Sequence, residues 1–201
     1  MPEFERVTGQ LAGAPIALRR QVAHDARDLL RADGRISPRD RLWWLTLRHR
    51  LNGQPGGATL ILPITHHHAD IADLPVSERT HVAALSAYLA RFIPMPERTD
   101  GVHPASQVWY DQVMQRWGED MAETVMPAPP DADGLVHALS AVQELSWVLR
   151  AILVKAWVEE AFNHSPQGLL SDETADALRM CACLLDTPLP PMLEAHYRAT
   201  R

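Results

Sequence analysis

A turn glycine, a serine placed to cap a helix, and an apolar helical stripe occur in that order twice in this chain. Residues 29–51 read LLRADGRISPRDRLWWLTLRHRL, and residues 162–185 read FNHSPQGLLSDETADALRMCACLL. Glycine gives the left-handed backbone that closes a helix, and a serine side chain accepts an orphan amide at the start of the next. The two stretches align without a gap from Asp33/Gln167 through Leu51/Leu185. Gly34 meets Gly168, Ile36 meets Leu170, Ser37 meets Ser171, Trp44 meets Leu178 and Leu47 meets Cys181. These are turn, cap and core positions. Each stretch therefore reads as a helix end, a tight turn and a second helix. Any helix-turn-helix of this length uses the same chemistry, so duplication and coincidence both remain open. A solenoid is excluded, because it needs roughly three or more stacked units.

The remaining apolar periodicity is also helical. Pro15 to Ala32 carries Ile16, Val22, Ala26, Leu29 and Leu30, and Gly34 ends it. Ser37, Pro38 and Asp40 open the next helix, where Trp44, Leu47 and Leu51 form a stripe with Leu45 beside it. Trp43 lies off that stripe and is expected to be exposed. ATLILPIT (58–65) reads as a short strand or an apolar loop, and Pro63 excludes a central strand. Ser77 is placed to cap a helix running to Phe92, and Pro104 opens one running to Met121. Two apolar helices are expected at 135–145 and 147–162, and a last one at 172–185. The prolines of TPLPPML (187–193) predict an extended tail.

The expected fold is thus all-α, a globular array of about six to eight helices. It reads as a single helical domain over 1–201. Residues 127–134 (PAPPDADG) are Pro-rich and acidic, and allow a division into subdomains 1–126 and 135–201. With 201 residues, 46% of them hydrophobic, the chain can bury a core. Its net charge of -6 argues against general nucleic-acid binding. No apolar run is long enough to span a bilayer, and the start is polar, so a cytoplasmic location is expected.

Several clusters invite chemical readings. His66, His67, His68 and Asp70 form the densest set of metal-ligand side chains, with Asp33 as an alternative carboxylate. Adjacent histidines diverge on either a strand or a helix, so partners such as His81 or His103 would be required. An exposed polar loop after an apolar segment is the better account of the run. Asp33 and Asp40 lack the spacing and terminal glutamate of a calcium loop. Cys181 and Cys183 point about 200° apart on a helix and do not form a CxxC pair. Neither Ser37 nor Ser171 sits in a GxSxG elbow. Glu159 and Glu160 spread around their helix as a solvated face. Arg39, Arg41, Arg48 and Arg50 make the second helix unusually basic. With Trp43 they are the candidate interaction surface, suited to an acidic partner or anionic headgroups.

RDLLRADGRISPRDRLWWLTLRHRL resembles the helix-turn-helix of tellurite-resistance TerB-like domains. GLLSDETADALRMCACLLDTPLPPML is similar to the C-terminal end of HtpX-like bacterial membrane zinc metallopeptidases, the Zn-dependent proteases with chaperone function. Its tail is Leu185-Asp186-Thr187-Pro188-Leu189-Pro190-Pro191. In that family an all-helical region follows the catalytic domain. The resemblance implies a non-catalytic accessory or interaction domain, either the soluble C-terminal part of such a protease or a freestanding relative. The expected partners are a protease catalytic domain or a client protein, with membrane proximity through a parent protein. No HExxH occurs here, so no catalytic residue carries over and no enzyme activity is expected. The acidic residue after the TerB motif is Asp40 in the first element but Thr174 in the second, which departs from that family's pattern. No cofactor is expected; the alternative is a metal-responsive TerB-like stress protein holding a divalent metal.

Overall fold

The structure, a computed structural model, describes residues 1–32, 34–52, 70–93, 103–118, 121 and 125–199. Among these residues it is all-α: nine helices, two short 3-10 turns and no strand. The chain divides into two compact units, Met1–Pro63 and Ile64–Arg201. The Pro-rich segment 127–134 lies inside the second unit. Residues 58–65, read as strand or loop, fall outside the described residues.

The first unit holds α1 (Pro2–Ala12), α2 (Ile16–Arg31) and α3 (Pro38–Asn52), with α3 packed on both others. Leu42, Thr46, Leu47 and Leu51 of α3 are buried. Thr46 satisfies its hydroxyl by donating to Leu42 O at 2.7 Å. The inward face of α2 is the half-buried set Arg19, Val22, Ala23, Ala26 and Leu30, one helical stripe. Ile16 and Leu29, expected on that stripe, are exposed, Leu29 by 77%. Leu29 stands one position before the half-buried Leu30. Helix α1 was not foreseen, and it supplies a partner that the sequence reading of α3 lacked. Phe4 meets Trp43 edge-on at 4.1 Å between ring centroids, and Glu5 meets Arg50 at 3.3 Å. Arg19 donates to the carbonyl of Leu51 at 2.7 Å, placing a cation at the negative end of α3.

The second unit holds α4 (Val76–Leu89), α5 (Pro104–Gln115), α6 (Ala132–Gln143), α7 (Trp147–His164), α8 (Asp172–Leu184) and α9 (Pro191–Ala199). Helix α4 packs on α5 and α6, α5 on α7, α7 on α8, and α9 on both α7 and α8. Trp109, Trp157, Tyr88 and Tyr110 are among its largest fully buried side chains. Removing each such ring from water contributes on the order of 4–6 kcal/mol before entropy is counted. The tryptophans also join helices through polar atoms. Trp109 Nε1 donates to Trp157 O at 3.4 Å, and Trp157 Nε1 donates to Ser86 Oγ at 2.9 Å.

Both Gly–Ser elements form as their residues dictate. Gly34 and Gly168 have φ of 73° and 66°, the region where a Cβ is costly. Ser37 Oγ accepts the Asp40 amide at 3.1 Å, and Asp40 accepts the Ser37 amide at 2.9 Å, a reciprocal cap. Ser171 Oγ accepts the Thr174 amide at 3.1 Å. The Thr174 hydroxyl donates to Phe92 O at 2.5 Å and ties α8 to the end of α4.

Helix boundaries differ from expectation for identifiable reasons. Pro75, not Ser77, precedes α4. Asp131 accepts the Gly134 amide at 2.8 Å and starts α6 within the expected connector. Helix α5 ends at Gln115, well short of Met121, with Gly118 at φ 95°. The tail is extended only to Pro190. Pro191 is the first residue of α9, a position where a missing N–H costs nothing, and Leu193 is buried.

Candidate functional site

The sequence-derived metal set is only partly described. His66, His67, His68 and the alternative Asp33 fall outside the described residues. Asp70 is exposed, and its carboxylate accepts the Ala72 amide at 3.1 Å, capping the 3-10 turn Ile71–Asp73. Of the helper histidines, His103 caps α5 by accepting the Ala105 amide at 3.1 Å. His81 stands against His137 of α6. Among the described residues no three His, Cys, Asp or Glu side chains form a metal-holding group.

The sequence-derived interaction set also divides. Trp43 is half-buried against Phe4, correcting the expectation that it projects from α3. Arg50 is half-buried and paired with Glu5, Arg39 and Arg41 are half-buried, and Arg48 is exposed. The basic helix is therefore partly an internal fastening of the first unit.

Glu159 and Glu160, read as a solvated face, are instead held by one arginine. Arg116, at the end of α5, donates Nε to Glu160 Oε1 at 2.7 Å and Nη1 to Glu159 Oε2 at 2.6 Å. Asn163 adds a bond to Glu160 Oε2 at 3.2 Å, and Lys155 lies 3.6 Å from Glu159. The hydrogen bond from Arg116 holds the Glu159 carboxyl below its ordinary range, against a smaller opposing effect of burial. The Arg116 bonds to both carboxylates fasten α5 to α7.

Cys181 and Tyr110 are buried, and burial disfavours ionisation of both. Burial, with Cys183 adding a smaller effect, pushes the Cys181 thiol up to about 12. Burial likewise raises the Tyr110 hydroxyl well above its usual value. Ser37 and Ser171 are engaged as helix caps.

What remains is a surface on α7. Leu149, Leu153, Trp157 and Ala161 form its inward stripe, and Ser146 caps its start by accepting the Leu149 amide at 3.3 Å. The opposite side of its first two turns is also apolar. Trp147 is 60% exposed, Val148 53% and Ile152 39%. A soluble helix ordinarily turns polar residues to that side, and an exposed tryptophan among aliphatic neighbours is the composition of an interface anchor. The signal was present in the sequence as a second apolar stripe at 147, 148, 151 and 152, but unbroken hydrophobicity does not say which side is covered.

Compared with known proteins, the chain matches no family, no curated protein and no solved structure. No described helix is long and apolar enough to cross a membrane.

Proposed function

We propose that this chain is a non-catalytic interaction domain that docks a partner protein through the first two turns of α7. The observation that carries the reading is the exposure of Trp147 beside Val148 and Ile152. Tryptophan is enriched among the few residues that carry most of an interface's binding energy. The absence of HExxH from the sequence, the capped serines and the buried Cys181 agree with a role outside catalysis.

The partner follows from the resemblance of the DGRIS-type element and the proline tail to the helical end of HtpX-like membrane zinc metallopeptidases. On this reading the chain is the accessory part, or a freestanding relative, of such a protease, at its cytoplasmic side. The TerB-like character of the two helix-turn-helix elements belongs to the same proposal. The test is binding of the purified chain to a detergent-solubilised HtpX-like protease from the same cells. Binding that falls about tenfold or more on Trp147→Asp, with unchanged helical circular dichroism, supports the reading. No binding, or binding that Trp147→Asp leaves untouched, overturns it.

A further inference from the structure

We infer that His81 and His137 form a two-imidazole site for a divalent transition-metal ion, bridging α4 and α6. The inference is independent of the α7 surface. The two residues lie far apart in sequence, yet their ring centroids are 4.9 Å apart with the planes at 78°. Helices α4 and α6 pack directly on each other, with Val82 and Leu85 buried beside His81, and Leu135, Ala138 and Leu139 buried around His137. Each ring therefore projects from a backbone fixed by core packing, which is what a preorganised ligand pair requires.

The separation matches a chelate. With a metal–nitrogen bond of about 2.0–2.1 Å and about 1.1 Å from nitrogen to ring centre, each centroid stands about 3.2 Å from the metal. Two such vectors place the centroids 4.9 Å apart when the angle at the metal is about 100°. That lies between the octahedral and tetrahedral angles. Turning each ring about its Cβ–Cγ bond would aim a nitrogen at the ion while the helices stay in place. His81 is half-buried and His137 exposed, so the site sits at the rim of the core, open to water on one side.

The donor set fixes the class of ion. Neutral imidazole suits copper, nickel and zinc, and disfavours magnesium and calcium, which take oxygen ligands. Among the described residues no third His, Cys, Asp or Glu completes a metal-holding group with the pair. Glu78 and Asp133 each lie about one turn before a histidine on its own helix, adding negative charge near the site. Water would complete the coordination shell, leaving positions that an incoming ligand can exchange.

The test is calorimetric titration with nickel chloride on the full chain, in a background of His66→Ala, His67→Ala and His68→Ala that removes the competing run. A single-site isotherm is expected. His137→Ala should weaken it about tenfold or more, because a chelate that loses one arm loses its intramolecular second bond. His81→Ala should do the same, and the double substitution should abolish binding at the site. In the unsubstituted chain, substoichiometric copper should broaden the imidazole resonances of His81 and His137. No nickel binding in the triple background overturns the proposal, as does nickel binding that His137→Ala leaves intact. His137 is exposed, so that variant remains decisive even if His81→Ala fails to fold.

Discussion

Trp157 donates its indole N–H to Ser86 Oγ at 2.9 Å, and Ser86 passes its own hydroxyl proton to Val82 O at the same distance. Ser86 is fully buried. One hydroxyl thus satisfies a donor on α7 and uses an acceptor on α4, inside the core. Ser86→Ala strands the indole N–H, which costs about 1–3 kcal/mol. Ser106 supplies the control. It is equally buried, and its hydroxyl has no hydrogen-bond partner among the described residues. Ser106→Ala should therefore be neutral or mildly stabilising. Urea denaturation of the two variants compares them directly. Equal destabilisation would mean that volume, not the hydrogen bond, sets the cost.

Arg116 grips both Glu159 and Glu160, and Glu160 is only 8% exposed. Arg116→Met leaves a nearly buried carboxylate without its charge partner. The side chain of Arg116 is 34% exposed, so solvent screens part of the interaction. The expected cost is about 2–3 kcal/mol at neutral pH, below the ~3–5 of a fully buried pair. The folded Glu159 carboxyl titrates below its ordinary value of 4.5. Its contribution is therefore present above that value and lost as pH falls through the folded one. The stability gap between the parent and Arg116→Met should narrow in acid. A gap that stays constant down to the acid transition would show that packing of the arginine stem is what matters.

How much of this was legible in the sequence depends on range. Ser37 and Ser171 were readable as caps because a cap is decided within three residues, and both formed. The inward positions of α8 were readable for the same reason, since Leu178 and Cys181 recur at helical spacing and are buried. Trp43 was misread because its neighbour Phe4 lies in α1, a helix that the sequence reading did not foresee. Pro191 was misread because proline was weighed as a breaker and not as a first-turn residue. The grip of Arg116 on two carboxylates, and the meeting of His81 with His137, join helices distant in sequence. No local pattern encodes them. Trp147 shows a further limit: an apolar helix announces that it is apolar, while its exposed side is set by which neighbours the fold supplies.

Cys181 is fully buried, and its thiol is pushed up to about 12 from an ordinary 9.0. In the unfolded chain the same thiol ionises near the ordinary value. The raised folded value means that its contribution is complete below about pH 9 and is lost as pH rises towards about 12. The stability difference between the parent and Cys181→Ala should be flat through neutrality and shrink above pH 9. Native alkylation of Cys181 by iodoacetamide should follow the opening of α8 rather than the thiolate chemistry of an exposed cysteine. Rapid labelling at neutral pH without unfolding would refute the burial argument.

Helix α9 is nine residues long, too short to persist on its own in water. Its existence therefore depends on docking. Leu193 is fully buried, Tyr197 donates its hydroxyl to Asp176 Oδ1 at 2.8 Å, and the Arg179 guanidinium stands 4.6 Å from the Tyr197 ring centre. The leucine supplies the apolar anchor, and the tyrosine fixes rotation about it through a directional bond and a cation–π contact. Leu193→Ala should cost about 2–4 kcal/mol where α9 and the rest of the unit unfold together. Tyr197→Phe keeps the ring and should cost about 1 kcal/mol. Hydrogen exchange separates local from global effects. In Leu193→Ala the amides of 193–199 should exchange faster than in the parent under conditions where those of α5 and α7 are unchanged. Uniform acceleration across all three helices would mean that α9 is an integral part of the cooperative core rather than a docked closing element.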